Sequence, residues 1–249
     1  MVKGIQTIWL RSIRKALADK WNLLIGVGWL LFLIFILGFG IDSFVNLDDL
    51  GVSYTELLGP GIIALMVMGG ALSIGNQLIE DKGGFIKELL VSPISRPSIF
   101  LGMIFGEMTI NLTVTLVAII FFLLFIKALS LVSLLLAIVL MLLIAFGFYG
   151  FGIVLSSFFK KAKSYQMING IVMGAVMFLS GSFYPIGNLP LWFKWIVKVN
   201  PLTYGVDGLR AVLVGFSEFG LLVDVAVLAG FGVAMLALGS YLFSRGLKK

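Results

Sequence analysis

Residues 131 to 159 read LVSLLLAIVLMLLIAFGFYGFGIVLSSFF, a run without a single Asp, Glu, Lys or Arg. An uncharged apolar stretch longer than about 18 residues reads as a helix that crosses a bilayer. The rest of the chain agrees: of 249 residues 60% are hydrophobic and 12% charged, with 22 Phe and 30 Gly. Soluble domains carry about twice that share of charge. The fold class expected is therefore an all-α integral membrane protein, with residues 1 to 249 forming a single membrane domain.

A spanning helix needs about 20 apolar residues. Six stretches qualify, at about 22 to 41, 60 to 79, 99 to 126, 131 to 158, 164 to 182 and 219 to 243. The second, PGIIALMVMGGALSIGNQLI, is the weakest because it is rich in glycine.

The basic residues set the orientation. Fourteen of the 18 Lys and Arg lie in the N-terminal segment, the second and fourth connections and the C-terminus. The first connection instead holds Asp42, Asp48, Asp49 and Glu56 with no Lys or Arg. By the positive-inside rule both termini are cytoplasmic, which six crossings of the cell membrane allow. The net charge of +6 then reads as contact with anionic lipid headgroups, not nucleic acid. The first 20 residues are too charged for a secretory signal. On a helical wheel Ile5, Ile8, Trp9, Ile13 and Ala16 oppose Arg11, Arg14 and Lys15, as expected of a helix lying along the cytoplasmic interface.

Absent residues narrow the chemistry. There is no His and no Cys, which removes zinc sites, Cys and His nucleophiles and Ser-His-Asp triads. No GxxxxGK[ST] loop occurs, so the chain has no P-loop with which to cradle ATP. No catalytic residue, cofactor site or metal site is expected on this chain.

Between the fifth and sixth runs, residues 181 to 218 are cut by Pro185, Pro190 and Pro201 into amphipathic pieces of about nine and thirteen residues. At 1.5 Å per residue neither crosses a bilayer. Short helices that dip into the outer leaflet and return fit the pattern. Within the runs the ionisable side chains are Glu107 and Asp224. An acid at membrane depth is a functional candidate by default. Asp224 lies about one turn from the outer end and reads as an interfacial acid. Glu107, with Asn111 one turn on, reads either as a polar contact among helices or as part of a translocation path. Small pairs at spacing four, Gly102 with Gly106 and Gly170 with Gly174, allow helices to approach closely.

The segment EDKGGFIKELLVSPISRP, 80 to 97, interrupts this apolar chain with charge. Gly83 and Gly84 release the chain from the second run, Phe85, Ile86, Leu89 and Leu90 form a narrow apolar stripe, and Pro93 ends the short helix. Apolar anchors flanked by both charge signs suit a protein groove better than a lipid surface.

This segment, with its acidic residues, glycine, ELL and SPISR, resembles the signature after the second span of ATP-binding-cassette transporter permeases of the type-2 family. NPLTYGVDGLRAVL, 200 to 213, is similar to that family's pattern before its last span. The resemblance covers essentially the whole chain. It implies a permease half that dimerises, with itself or a paralogue, and pairs with two copies of a separate ATPase subunit that holds ATP and Mg. Phe85, Leu89 and Leu90 would then insert into an ATPase groove, with Ile86 completing the stripe and Ser92 and Pro93 closing the helix. Glu80, Asp81, Lys82, Lys87, Glu88 and Arg96 would fix the register. The short outer helices, through Tyr184, Pro185, Trp192, Trp195, Pro201, Tyr204, Asp207 and Arg210, would narrow or gate the exit. The cargo implied is amphipathic, lipid-like or drug-like, or a lipid-linked glycan, and export is the direction. The rival from another class is a stand-alone secondary transporter or channel, which calls for midplane ionisable residues or internal repeats.

Overall fold

The computed structural model describes residues 2–18, 20–33, 35–36, 40, 53–81, 96–125, 130–187 and 189–246. Among them the regular structure is helical and no strand occurs. The α-helices are α1 (Val2–Ala18), α2 (Lys20–Leu33), α3 (Tyr54–Asp81), α4 (Arg96–Phe125), α5 (Leu131–Ser156), α6 (Ala162–Phe178), α7 (Leu191–Val199), α8 (Pro201–Leu213) and α9 (Leu221–Gly246). Four of them, α3, α4, α5 and α9, are long and apolar enough to cross a membrane. The first expected span is described as 14 residues of α2, and the fifth, α6, stops after 17 residues because 179–182 turn.

The second run begins earlier than its proline suggests. Ser53 and Glu56 form a reciprocal capping box: Ser53 N donates to Glu56 Oε2 at 2.8 Å, and Glu56 N to Ser53 Oγ at 3.2 Å. That arrangement satisfies two otherwise orphan amides. It starts α3 at Tyr54 and leaves Pro60 inside the helix.

The core is built around α5, which packs on α3, α8 and α9. Leu58, Ile63 and Leu72 of α3, Met141 and Ile144 of α5, and Leu202 and Leu209 of α8 are all fully enclosed. In lipid such packing gains dispersion and close fit, since hydrocarbon outside is as apolar as leucine inside. At Gly150 a Cβ would fall 2.6 Å from the Met235 backbone carbon. Only glycine allows α5 and α9 to approach so closely.

α1 is held by protein as well as carrying its expected basic face. Ile8 is buried, and Trp9 Nε1 donates to Thr109 Oγ1 of α4 at 3.0 Å. A Cβ on Gly102 would lie 2.9 Å from Ile8 Cβ, and one on Gly106 would lie 2.5 Å from Ser12 Cβ. Thus Gly102 and Gly106 form a notch for α1, whereas Gly170 and Gly174 have no atom within 4 Å of their would-be Cβ positions.

Candidate functional site

From Leu57 to Glu80, α3 is enclosed by neighbouring helices except along one face. Met66, Gly69, Gly70, Ser73, Asn76, Gln77 and Glu80 remain partly or fully uncovered. Their spacing of three and four residues places them in one row. Small and polar residues fill the row where a lipid-facing helix would carry Leu, Ile or Phe.

Neighbouring helices extend this polarity. On one side Gln166 Nε2 of α6 donates to Asn76 Oδ1 at 3.1 Å, and Asn76 Nδ2 donates to Glu80 Oε1 at 2.8 Å. Tyr165, buried one residue earlier, donates its hydroxyl to Leu72 O at 2.6 Å. On the other side Asn111 Nδ2 of α4 donates to Val67 O at 3.2 Å, and Thr115 Oγ1 donates to Asn111 Oδ1 at 3.3 Å. The amide of Asn111 occupies the space that a Cβ on Gly70 would need. The buried hydroxyl of Tyr149 on α5 lies beside Asn111 and within reach of the charge of Glu107. α3, α4, α5 and α6 therefore bring amide, hydroxyl and carboxyl groups together at membrane depth.

The opposite end of α3 is tied down by α8. Arg210 is buried, and its guanidinium donates from Nε to Leu57 O at 2.9 Å, and from one terminal nitrogen to Gly181 O at 2.8 Å and Ser182 O at 3.2 Å. Burial pulls its pKa down to about 10, with Asp207, Glu218 and Tyr54 acting in the other direction. At neutral pH the group stays charged. Asp207, also buried, accepts from Ser217 Oγ at 2.9 Å, Glu218 N at 2.8 Å and Phe219 N at 2.9 Å. Glu218 in turn accepts from Ile186 N at 2.6 Å and Gly187 N at 3.2 Å. Two acids and one arginine thus knit α8, the turn after α6, the connection before α9 and the start of α3 into one polar lattice.

The remaining residues expected at this end are distributed around that lattice. Tyr184 donates to Phe178 O, and Tyr204 donates to Lys198 O at 2.9 Å. Pro201 is the first residue of α8, with Asn200 as its cap: Asn200 Oδ1 accepts from Leu202 N at 3.0 Å. Pro185 lies in the turn, while Trp192 and Trp195 stand exposed on α7. Asp224 stands in the first turn of α9. It is fully buried, and neither carboxyl oxygen has a hydrogen-bond partner. Gly208 of α8 faces it: a Cβ there would lie 3.4 Å from the Asp224 Cβ, an ordinary contact.

Sequence reasoning missed Glu218, Ser217, Tyr165 and Gln166. Glu218 and Ser217 sit in a polar loop like any other, and Tyr165 and Gln166 act on residues about 90 positions away. The SxxE pattern at 53–56 was a usable signal for the true start of α3.

The expected coupling segment is described only at its ends. Glu80 and Asp81 close α3 and Arg96 opens α4. Lys82, Gly83, Phe85, Ile86, Lys87, Glu88, Leu89, Leu90, Ser92 and Pro93 lie outside the described residues.

Comparison with known proteins adds an independent finding. The ABC-2 type transporter family is matched over residues 3–214. The protein ycf38 of Porphyra purpurea is 31% identical over 190 residues, covering 74% of this chain and 64% of its own length. The inner membrane transport permease YadH of Escherichia coli K12 is 26% identical over 205 residues, covering 80% and 78%. Nodulation protein J of Rhizobium leguminosarum bv. viciae is 25% identical over 220 residues, covering 87% and 84%. The chain therefore spans a little under two thirds of the algal relative and most of the two bacterial ones.

Proposed function

The chain belongs to the ABC-2 type transporter family and is a transmembrane transport permease; from that premise we propose that it is the membrane half of an ATP-driven exporter whose ATPase is a separate polypeptide. Two copies of this chain, or this chain and a paralogue, enclose the path. Two ATPase subunits carry ATP and Mg and dock on residues 82 to 95. The chain crosses the cell membrane six times with both termini in the cytoplasm, α2 and α6 completing the four long spans. Its cargo is amphipathic, lipid-like or drug-like, or a lipid-linked glycan.

The observation that carries this reading is the uncovered row on α3. Ser73 donates to Gly70 O at 2.7 Å and Asn76 bonds Glu80 and Gln166, yet the hydroxyl and amide groups of Ser73, Asn76 and Gln77 keep further donor and acceptor sites that hydrocarbon would leave unserved. Those residues suit a polar space between two permeases. Glu107 and Asn111 stand beside it on α4. Nucleotide binding moves the segment 82 to 95, which follows α3 directly in sequence, so force applied there reshapes the row. Such coupling requires contacts that differ between the two states. The α7–α8 end then forms the outer mouth.

A cysteine scan tests the path, since the chain has no Cys of its own. Ser73→Cys and Gln77→Cys in membranes are expected to react with a membrane-impermeant maleimide, and Leu72→Cys is not. Equal protection of all three would show that the row faces lipid or protein.

A further inference from the structure

α7 has three sides. Wound at 3.6 residues per turn, Leu191, Trp192, Trp195, Ile196 and Val199 share one broad sector, and they are between 42% and 83% exposed. Phe193 and the fully buried Val197 form the sector facing the protein. Lys194 and Lys198 fill the edge between the two. The helix is fixed in this orientation by α8: Thr203 Oγ1 donates to Val197 O at 2.7 Å and Tyr204 to Lys198 O at 2.9 Å. From α7 itself Lys194 Nζ donates to Gly187 O at 2.6 Å.

We propose that α7 lies flat in the headgroup zone of the leaflet on the α3 N-terminal side, with its apolar sector on the acyl chains and its lysines on phospholipid phosphates. Nine residues reach roughly 14 Å, far less than a bilayer core. Tryptophan pairs are at home at the boundary of hydrocarbon and headgroup, and lysine stems reach along apolar surface to place the ammonium at phosphate level. Lys198 Nζ already stands over the Trp195 ring, 5.3 Å from its centroid, and 6.0 Å from that of Phe219. A cation held over aromatic faces is kept at their depth.

A second copy of the chain fits this face less well. A two-fold contact places the same patch on both sides, so Lys194 and Lys198 would meet their own equivalents. Of the described carboxylates at this end, Glu56, Asp207 and Glu218 are engaged by backbone amides and Asp224 is buried. Phosphates offer both lysines negative charge at headgroup depth. The lipid contact thereby sets the depth of α8 and of the lattice around Arg210. It does not depend on any ATPase, so it can fail while the transport reading stands.

The test uses the full chain with Trp9→Phe, Trp21→Phe and Trp29→Phe, which leaves Trp192 and Trp195 as the only tryptophans, excited selectively over the six Tyr. It is reconstituted into phosphatidylcholine vesicles brominated near the headgroup or near the chain end. Shallow bromine is expected to quench emission about twofold or more, and deep bromine clearly less. Phosphatidylglycerol is expected to increase the shallow quenching in this chain but not in its Lys194→Gln, Lys198→Gln derivative. Stronger quenching by deep bromine means a helix that dips, and no quenching means a second copy or water on the face; either overturns the proposal. So does an equal response of both chains to phosphatidylglycerol. If the triple variant does not fold, a nitroxide on Trp195→Cys gives the same depth from its relative exposure to oxygen and to a nickel chelate.

Discussion

Arg210 reaches the carbonyls of Leu57, Gly181 and Ser182, the first of them 153 residues away. A lysine at this position keeps the charge but cannot fork to three acceptors. Arg210→Lys is therefore expected to destabilise the protein by about 3 kcal/mol or more, the scale of a broken buried ionic network. Thermal unfolding in mild detergent should show a drop of several degrees. Asp207→Asn should also be costly, because its carboxylate answers two backbone amides and a hydroxyl. Asp224→Asn should change the midpoint little or raise it, since no hydrogen bond is lost and one buried acid is removed. An equal loss for Asp207→Asn and Asp224→Asn would contradict the lattice. Asp207 and Arg210 were expected on a short outer helix that narrows or gates the exit. Their partners are main-chain atoms of distant segments, which carry no residue-type signal, so the lattice itself was not legible. The burial of Asp224 was not legible either, because it depends on helices from other parts of the chain packing against α9.

Helix positions were more legible than helix surroundings. The apolar runs located every long helix, and prolines 190 and 201 divided α7 from α8 at the observed places. The glycine-rich run looked weakest as a span, yet α3 is the most enclosed of the four long helices. The reason is physical: a helix wrapped by protein needs small residues for close contact and less apolar surface for lipid. Its start was displaced because Pro60 masked the Ser53–Glu56 box. Removing the box with Ser53→Ala should cost about 1 kcal/mol, readable as faster amide exchange in the first turn of α3 with later turns unchanged. The pairing of α1 with α4 also depended on an unseen partner. Gly106→Leu is expected to push α1 out of its notch and to open Arg11 and Arg14 to trypsin, whereas Thr109→Val removes only the Trp9 bond and should leave cleavage slow. Slow cleavage in both would mean that α1 is held by the bilayer alone.

As a whole the molecule, 249 residues long, contains no GxxxxGK[ST] loop, no His and no Cys. What it does hold is a polar row inside an apolar bundle, a polar lattice at one end, and a charged segment joined directly to the row at the other. The proposed path, passive and moved from outside, would account for all three. The family was readable from two short motifs in order, ELLVSPISR and NPLTYGVDGLRAVL, because their charged, glycine and proline residues stand out from apolar filler. Cargo was not readable, since amides and hydroxyls along a row accept many polar groups.

The most direct measurement is copurification in mild detergent of this chain with a co-expressed P-loop ATPase subunit, for the native sequence and for Phe85→Asp and Leu89→Asp. The native chain should retain the ATPase, and both variants should lose it while keeping the native thermal midpoint. Undiminished binding in both variants would contradict docking at residues 82 to 95 and, with it, the route by which force reaches α3.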